Sequence, residues 1–144
     1  MIKNVVEDVM GLMVGLYLIA AAIFVAIDAV WLSVIARSVY VAEIGPLLLA
    51  KPNLSVAAGF YLLYIAGLLI FVVGPAAKAD SVGHALVYGA LFGFFAYATY
   101  DLTNLSTLKG YTARIAMIDM AWGATLSALV SSGTIITARL FRLI

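Results

Sequence analysis

Four long apolar runs, at approximately 9–36, 54–76, 82–104 and 113–139, take up most of the sequence and leave only short connections between them. A helix crosses a hydrocarbon core of about 30 Å with roughly 20 apolar residues, and every run reaches that length. Spanning β-strands would alternate polar and apolar residues over stretches of about 10 residues. The four runs are longer and do not alternate. The expected fold class is therefore all-α: a polytopic membrane protein, a bundle of four transmembrane helices, with residues 1–144 as one domain. Composition agrees, because only 10% of the residues are charged, against about 25% in soluble domains.

The first run is read as a retained span rather than a signal peptide. Lys3 is offset by Glu7 and Asp8, and the apolar stretch outlasts an h-region of about 7–15 residues. Gly45-Pro46 and Pro52-Asn53 punctuate the first connection, Gly74-Pro75 closes the second helix and Lys109-Gly110 marks a short third turn. The first connection, 37–53, opens with RSVYVAEI. That segment is expected to prolong the first helix into the interface, with Tyr40 at headgroup level and Arg37 snorkelling.

Charge and residue usage remove several function classes. A net charge of +1 with the Lys and Arg residues scattered singly offers no surface for nucleic acid. Without cysteine there is no disulfide, thiolate nucleophile, iron–sulfur cluster or zinc–thiolate site. His84 is the only histidine, so no pair can ligate haem within one chain, and no lysine lies inside a run to carry a Schiff base. No Gly-rich phosphate loop is present. No cofactor and no metal are expected.

What remains is a set of aspartates that the spans place together. Consecutive helices cross in opposite senses, and the first and third connections emerge on the same side. Asp28 lies toward the end of the first helix, Asp101 near the end of the third and Asp119 about two turns into the fourth. All three therefore fall in one half of the bilayer. At 100° per residue Asp28 shares a stripe with Trp31, Asp101 with Tyr97 and Asn104, and Asp119 with Trp122. Tyr61 and Tyr64 of the second helix reach the same half, and Gly89, Gly93 and Gly123 are small enough to let helices approach closely. AIDAVW at 26–31 and MIDMAW at 117–122 both read Ile-Asp-x-x-Trp. The echo is attributed to a shared local need, a carboxylate beside an N–H donor, rather than to a structural repeat.

These segments carry a resemblance. Asp28-Ala29-Val30-Trp31-Leu32, Gly45-Pro46-Leu47, Pro52-Asn53, Phe60-Tyr61-Leu62-Leu63-Tyr64 and Asp119-Met120-Ala121-Trp122-Gly123 resemble a family of short bacterial integral membrane proteins known only as a domain of unknown function. The most specific segment is 97–105, with its Tyr-Asp-Leu-Thr-Asn motif at 100–104. The resemblance covers nearly the whole chain and implies four helices. It transfers no catalytic or binding residue. Tyr111 stands where the family is expected to carry Trp, after Lys109-Gly110.

The residues admit three functions. The first is coupled transport of a proton or cation, or binding of a small molecule or lipid, at Asp28, Trp31, Tyr97, Asp101, Asn104, Asp119 and Trp122. The second is an intramembrane lipid-modifying enzyme using paired aspartates, with no catalytic residue assigned. The third is an assembly subunit without chemistry, whose aspartates only hydrogen-bond across helices while Arg37 or Arg114 neutralises a neighbour. The expected setting is the bacterial inner (cytoplasmic) membrane, multi-pass, with lipid, a small molecule or a cation as partners and no nucleic acid. Lys3, Lys78, Arg139 and Arg142 fall on one side and Arg37, Lys51, Lys109 and Arg114 on the other. This balance predicts weak orientation or dual insertion, with an antiparallel homodimer as one outcome and the N-in form slightly favoured.

Overall fold

The computed structural model describes the backbone of residues 2–144 and the side chains of residues 6–144. No strand occurs among the described residues, and four helical stretches are long and apolar enough to cross a membrane. In hydrocarbon a backbone N–H has no water to bond, so an isolated span must satisfy its own polar groups as helix. The first span is α1 (Ile2–Val30), a π turn (Trp31–Ala36) and α2 (Arg37–Ile44) in unbroken succession. The second is α3 (Leu54–Leu68), a π turn (Leu69–Val73) and α4 (Gly74–Lys78). The third is α5 (Val82–Thr107) and the fourth α6 (Ala113–Leu140).

Side chains from the preceding connections start three of these helices. Asn53 Oδ1 accepts from Val56 N at 3.2 Å, Ser81 Oγ from His84 N at 3.1 Å and Thr112 Oγ1 from Ile115 N at 3.3 Å. Each satisfies a first-turn donor that the helix cannot. The π turn of the second span leads directly into Pro75. A proline lacks the N–H for an ordinary helical bond and crowds the preceding turn. The wider turn answers this, with Gly74 N donating to Leu69 O. A Cβ on Gly74 would sit 3.0 Å from that same oxygen, so the turn leaves no slack there.

RSVYVAEI prolongs the first helix as expected: the helix continues to Ile44, where Gly45-Pro46-Leu47 forms a 3₁₀ turn. The candidate span from Val6 to Leu47 has 42 residues, roughly 60 Å of helix against a hydrocarbon core of about 30 Å. It runs antiparallel to the fourth span: Asp28 is bonded to Trp122, Tyr40 to Asp119 and Glu43 to Thr112, the N-cap of α6.

Packing sorts the apolar residues by direction rather than by type. Leu16, Ala20 and Phe24 of α1 are fully buried with Ile65 and Leu68 of α3 and Leu126, Val130 and Ile135 of α6. Leu18, Leu63 and Phe71 point outward at positions suited to lipid. The tightest contact joins α5 and α6. A Cβ added to Gly93 would lie 1.9 Å from the Gly123 carbonyl oxygen, and one added to Gly89 would lie 2.7 Å from that of Ser127. Only hydrogen at these positions allows the two backbones to meet. At the far end of the bundle, Arg139 donates to the Asp80 side chain at 2.8 Å and to its carbonyl at 2.6 Å, tying the second turn to the end of α6.

Candidate functional site

Asp28, Asp101 and Asp119 are all interior, at 5%, 0% and 3% exposure. Each carboxylate accepts from the hydroxyl of a tyrosine on a different element. Tyr61 of α3 donates to Asp28, Tyr40 of α2 to Asp119, and Tyr111 of the third turn to Asp101 at 2.5 Å. Bonds to ionised acceptors are the stronger kind, and desolvated carboxylates need such partners. Asp101 Oδ2 nonetheless has no partner.

Depth separates the three. Asp101 and Asp119 each lie six residues from the end of their helix at the third turn, about 9 Å of helix. Asp28 lies deeper, level with Trp122, whose indole N–H donates to Asp28 Oδ1 at 3.3 Å. Below it the Tyr64 hydroxyl and Ser127 Oγ pair at 2.7 Å. The two Ile-Asp-x-x-Trp segments meet here: Trp31 stacks on Trp122 with ring centroids 4.3 Å apart and planes 9° from parallel. The exchange is one-sided. Trp122 reaches Asp28, while Trp31 Nε1 is buried without a partner and Asp119 is held by Tyr40.

A cavity of about 370 Å³ opens beside this ladder, walled by all four spans. Its rings are Tyr40, Phe60, Tyr64, Tyr97 and Tyr100, and Asp119 is the carboxylate that lines it. The second span packs on α5 through its π turn and α4, while α3 stands off from α5 and the rings of Tyr64, Phe92 and Tyr97 bridge the space. Phe60 and Tyr100, at 49% and 59% exposure, flank the resulting gap on the surface that would meet lipid.

The seven residues singled out from sequence thus divide. Asp119 and Tyr97 line the cavity. Asp28, Trp31 and Trp122 form the bonded stack beside it. Asp101 is sealed under Tyr111, and Asn104 sits half-buried one turn nearer the loop, outside the cavity wall. Arg114 does not neutralise an interior aspartate. It pairs with Glu43 at 3.0 Å, whose other oxygen accepts from Thr112 at 2.6 Å, and Arg37 lies exposed in a shallow groove on its own helix. Tyr40 is the partner of Asp119. Sequence reasoning missed Tyr40 and Ser127, which no local signal marks. Tyr111 did carry one: a Trp or a Tyr after Lys109-Gly110 each presents a donor, as Trp122 does to Asp28. Among the described residues no three His, Asp or Glu side chains gather as a metal-binding group.

Tyr111 lies outside the spans and has a legible titration. Burial, then the hydrogen bond to Asp101 and its negative charge, push the phenol above its ordinary value near 10. The folded chain therefore holds this proton more tightly than the unfolded chain does. The stabilisation is complete below pH about 10 and is lost as pH rises beyond it, where only the unfolded chain releases the proton readily. Melting in detergent should consequently fall more steeply above pH 10 for the native chain than for Tyr111→Phe. Parallel curves would remove the linkage.

Four candidate spans around a polar and aromatic interior define a small polytopic membrane protein. A protein-family model described as "Predicted membrane protein (DUF2177)" matches residues 13–136, and the chain belongs to that family. No curated protein and no solved structure matches it.

Proposed function

We propose that this protein binds a small, partly apolar molecule drawn from the bilayer of a bacterial inner membrane, and that Asp119 with Tyr40 forms the polar end of the site. The observation that carries this is the cavity itself, walled by all four spans and opening beside a gap between α3 and α5 flanked by Phe60 and Tyr100. Ligand sites in bundles are concave, mostly apolar and supplied with a few converging polar groups, and this cavity has that make-up. The pairing of each aspartate with its own tyrosine favours binding over acid–base catalysis, since no two carboxylates are left facing one reacting centre. Carriage across the membrane would begin with the same binding step.

Native mass spectrometry of the full chain, purified with its membrane lipids, tests the reading. The expected result is one retained small molecule or lipid per site in the native protein and none in Ala96→Trp, whose indole would fill the cavity that Ala96 lines. Equal retention by both proteins would remove the cavity as the site.

A further inference from the structure

We infer that the occupant of this cavity is an organic ammonium ion, a quaternary or tertiary amine bearing an apolar substituent. The inference rests on the binding reading above and deepens it. The face of an aromatic ring carries partial negative charge, and rings gathered around a space attract a cation there, Tyr and Trp more strongly than aliphatic walls can. Here five rings, Tyr40, Phe60, Tyr64, Tyr97 and Tyr100, surround the space with Asp119. Tyr64 and Tyr97 stand nearly perpendicular, at 88° with centroids 6.3 Å apart, and Tyr64 and Phe60 tilt at 50° across 5.5 Å. These are edge-on and tilted contacts, so neither pair closes a ring face by parallel stacking.

Charge accounting points the same way. Asp119 is 3% exposed and takes its hydrogen bond from the neutral Tyr40 hydroxyl. The basic residue nearest to it on α6, Arg114, is committed to Glu43, and no Lys, Arg or His lines the cavity. A buried carboxylate is stabilised by an opposite charge, and among the described residues no side chain supplies one at Asp119. An ammonium ion in the cavity would. Alkylation suits the cation to this place: a bare ammonium head requires several hydrogen-bond acceptors, whereas a methylated one spreads its charge over C–H groups that lie against rings. The apolar substituent would leave by the gap between Phe60 and Tyr100, toward acyl chains.

The test compares benzyltrimethylammonium with neopentylbenzene, its neutral isostere in which carbon replaces nitrogen, by saturable change in intrinsic fluorescence of the full chain in detergent. The expected result is binding of the cation at least about tenfold tighter than the isostere. That preference should be lost in Asp119→Asn and weakened severalfold in Tyr100→Leu, whose ring is half-exposed at the mouth of the cavity. Thermal melting of both variants separates lost binding from lost folding, and Tyr100→Leu serves alone if Asp119→Asn does not fold. Equal affinity for the two probes overturns the ammonium assignment and leaves the cavity reading standing. So does a neutral lipid that is retained by the native chain and expelled by Ala96→Trp while neither probe binds. If no probe binds and nothing is retained, both readings fall together.

Discussion

Gly93→Ala is expected to lose about 3 kcal/mol of stability in detergent, and Gly93→Leu to give no folded chain. The added Cβ would come to rest 1.9 Å from the Gly123 carbonyl oxygen, a backbone atom that cannot turn aside as a side chain can. Relief requires α5 and α6 to part. That movement also pulls on the neighbouring contacts of Gly89 with Ser127 and of Gly123 with the Tyr97 ring, where added Cβ atoms would sit at 2.7 and 2.3 Å. Overpacked cores lose typically 1–3 kcal/mol and occasionally more, and a helix pair held by close backbone approach belongs at the upper end. Gly59→Ala is the control, since nothing lies within 4 Å of its added Cβ and alanine is the better helix former by about 1 kcal/mol. Thermal unfolding followed by circular dichroism should therefore move the two variants in opposite directions. Equal melting would mean that the helices do not approach as described.

Asp28→Ala is expected to cost about 2 kcal/mol and to disorder the tryptophan pair. The substitution leaves the Tyr61 hydroxyl and the Trp122 indole N–H without their acceptor. Cross-helix hydrogen bonds in membranes contribute about 0.6 kcal/mol on average and up to about 1.7, and two donors are stranded here. Asp28→Asn retains one acceptor oxygen and should fall between. Tyr61→Phe tests the coupling, because in an Asp28→Ala background it should cost much less than it does alone. The chain has two tryptophans and they are the stacked pair, so near-ultraviolet circular dichroism reports their geometry without interference from others. Retention of the native tryptophan signal in Asp28→Ala would show that stacking alone holds Trp122.

The spans were legible because they rest on length and hydropathy, which accumulate over a whole run and survive any single residue. Helix sense alone placed Asp28, Asp101 and Asp119 in one half, and Gly89, Gly93 and Gly123 were marked as allowing helices to approach, though nothing marked α5 and α6 as the pair that meets at Gly93. The partners of the carboxylates were harder to read. Tyr40 and Asp119 are 79 positions apart, and Tyr61 and Asp28 are 33 apart. Periodicity specifies the face of a helix but not which neighbour that face meets. The prolongation of the first helix through RSVYVAEI was legible and runs to Ile44, but nothing local marked Tyr40 and Glu43 as partners of Asp119 and Thr112. The cavity depends on α3 standing off from α5, a property of the assembled bundle that no single segment encodes.

The third turn has a consequence for how the chain enters a membrane. The bond between Tyr111 and Asp101 closes over only ten residues, and the glycines that seat α5 on α6 lie within the same helical hairpin. This hairpin therefore contains what it needs to shield one of its carboxylates before any other span arrives. Asp119 must wait for Tyr40, and Asp28 for both Tyr61 and Trp122. Biogenesis would then run opposite to the order of synthesis: the last two helices form a self-sufficient platform, and the first two, made earlier, become fixed only when that platform is presented to them. A ribosome-bound fragment ending before residue 113 would hold its first span in the bilayer with Asp28 lacking the indole of the fourth, and so would be the stage most exposed to quality control.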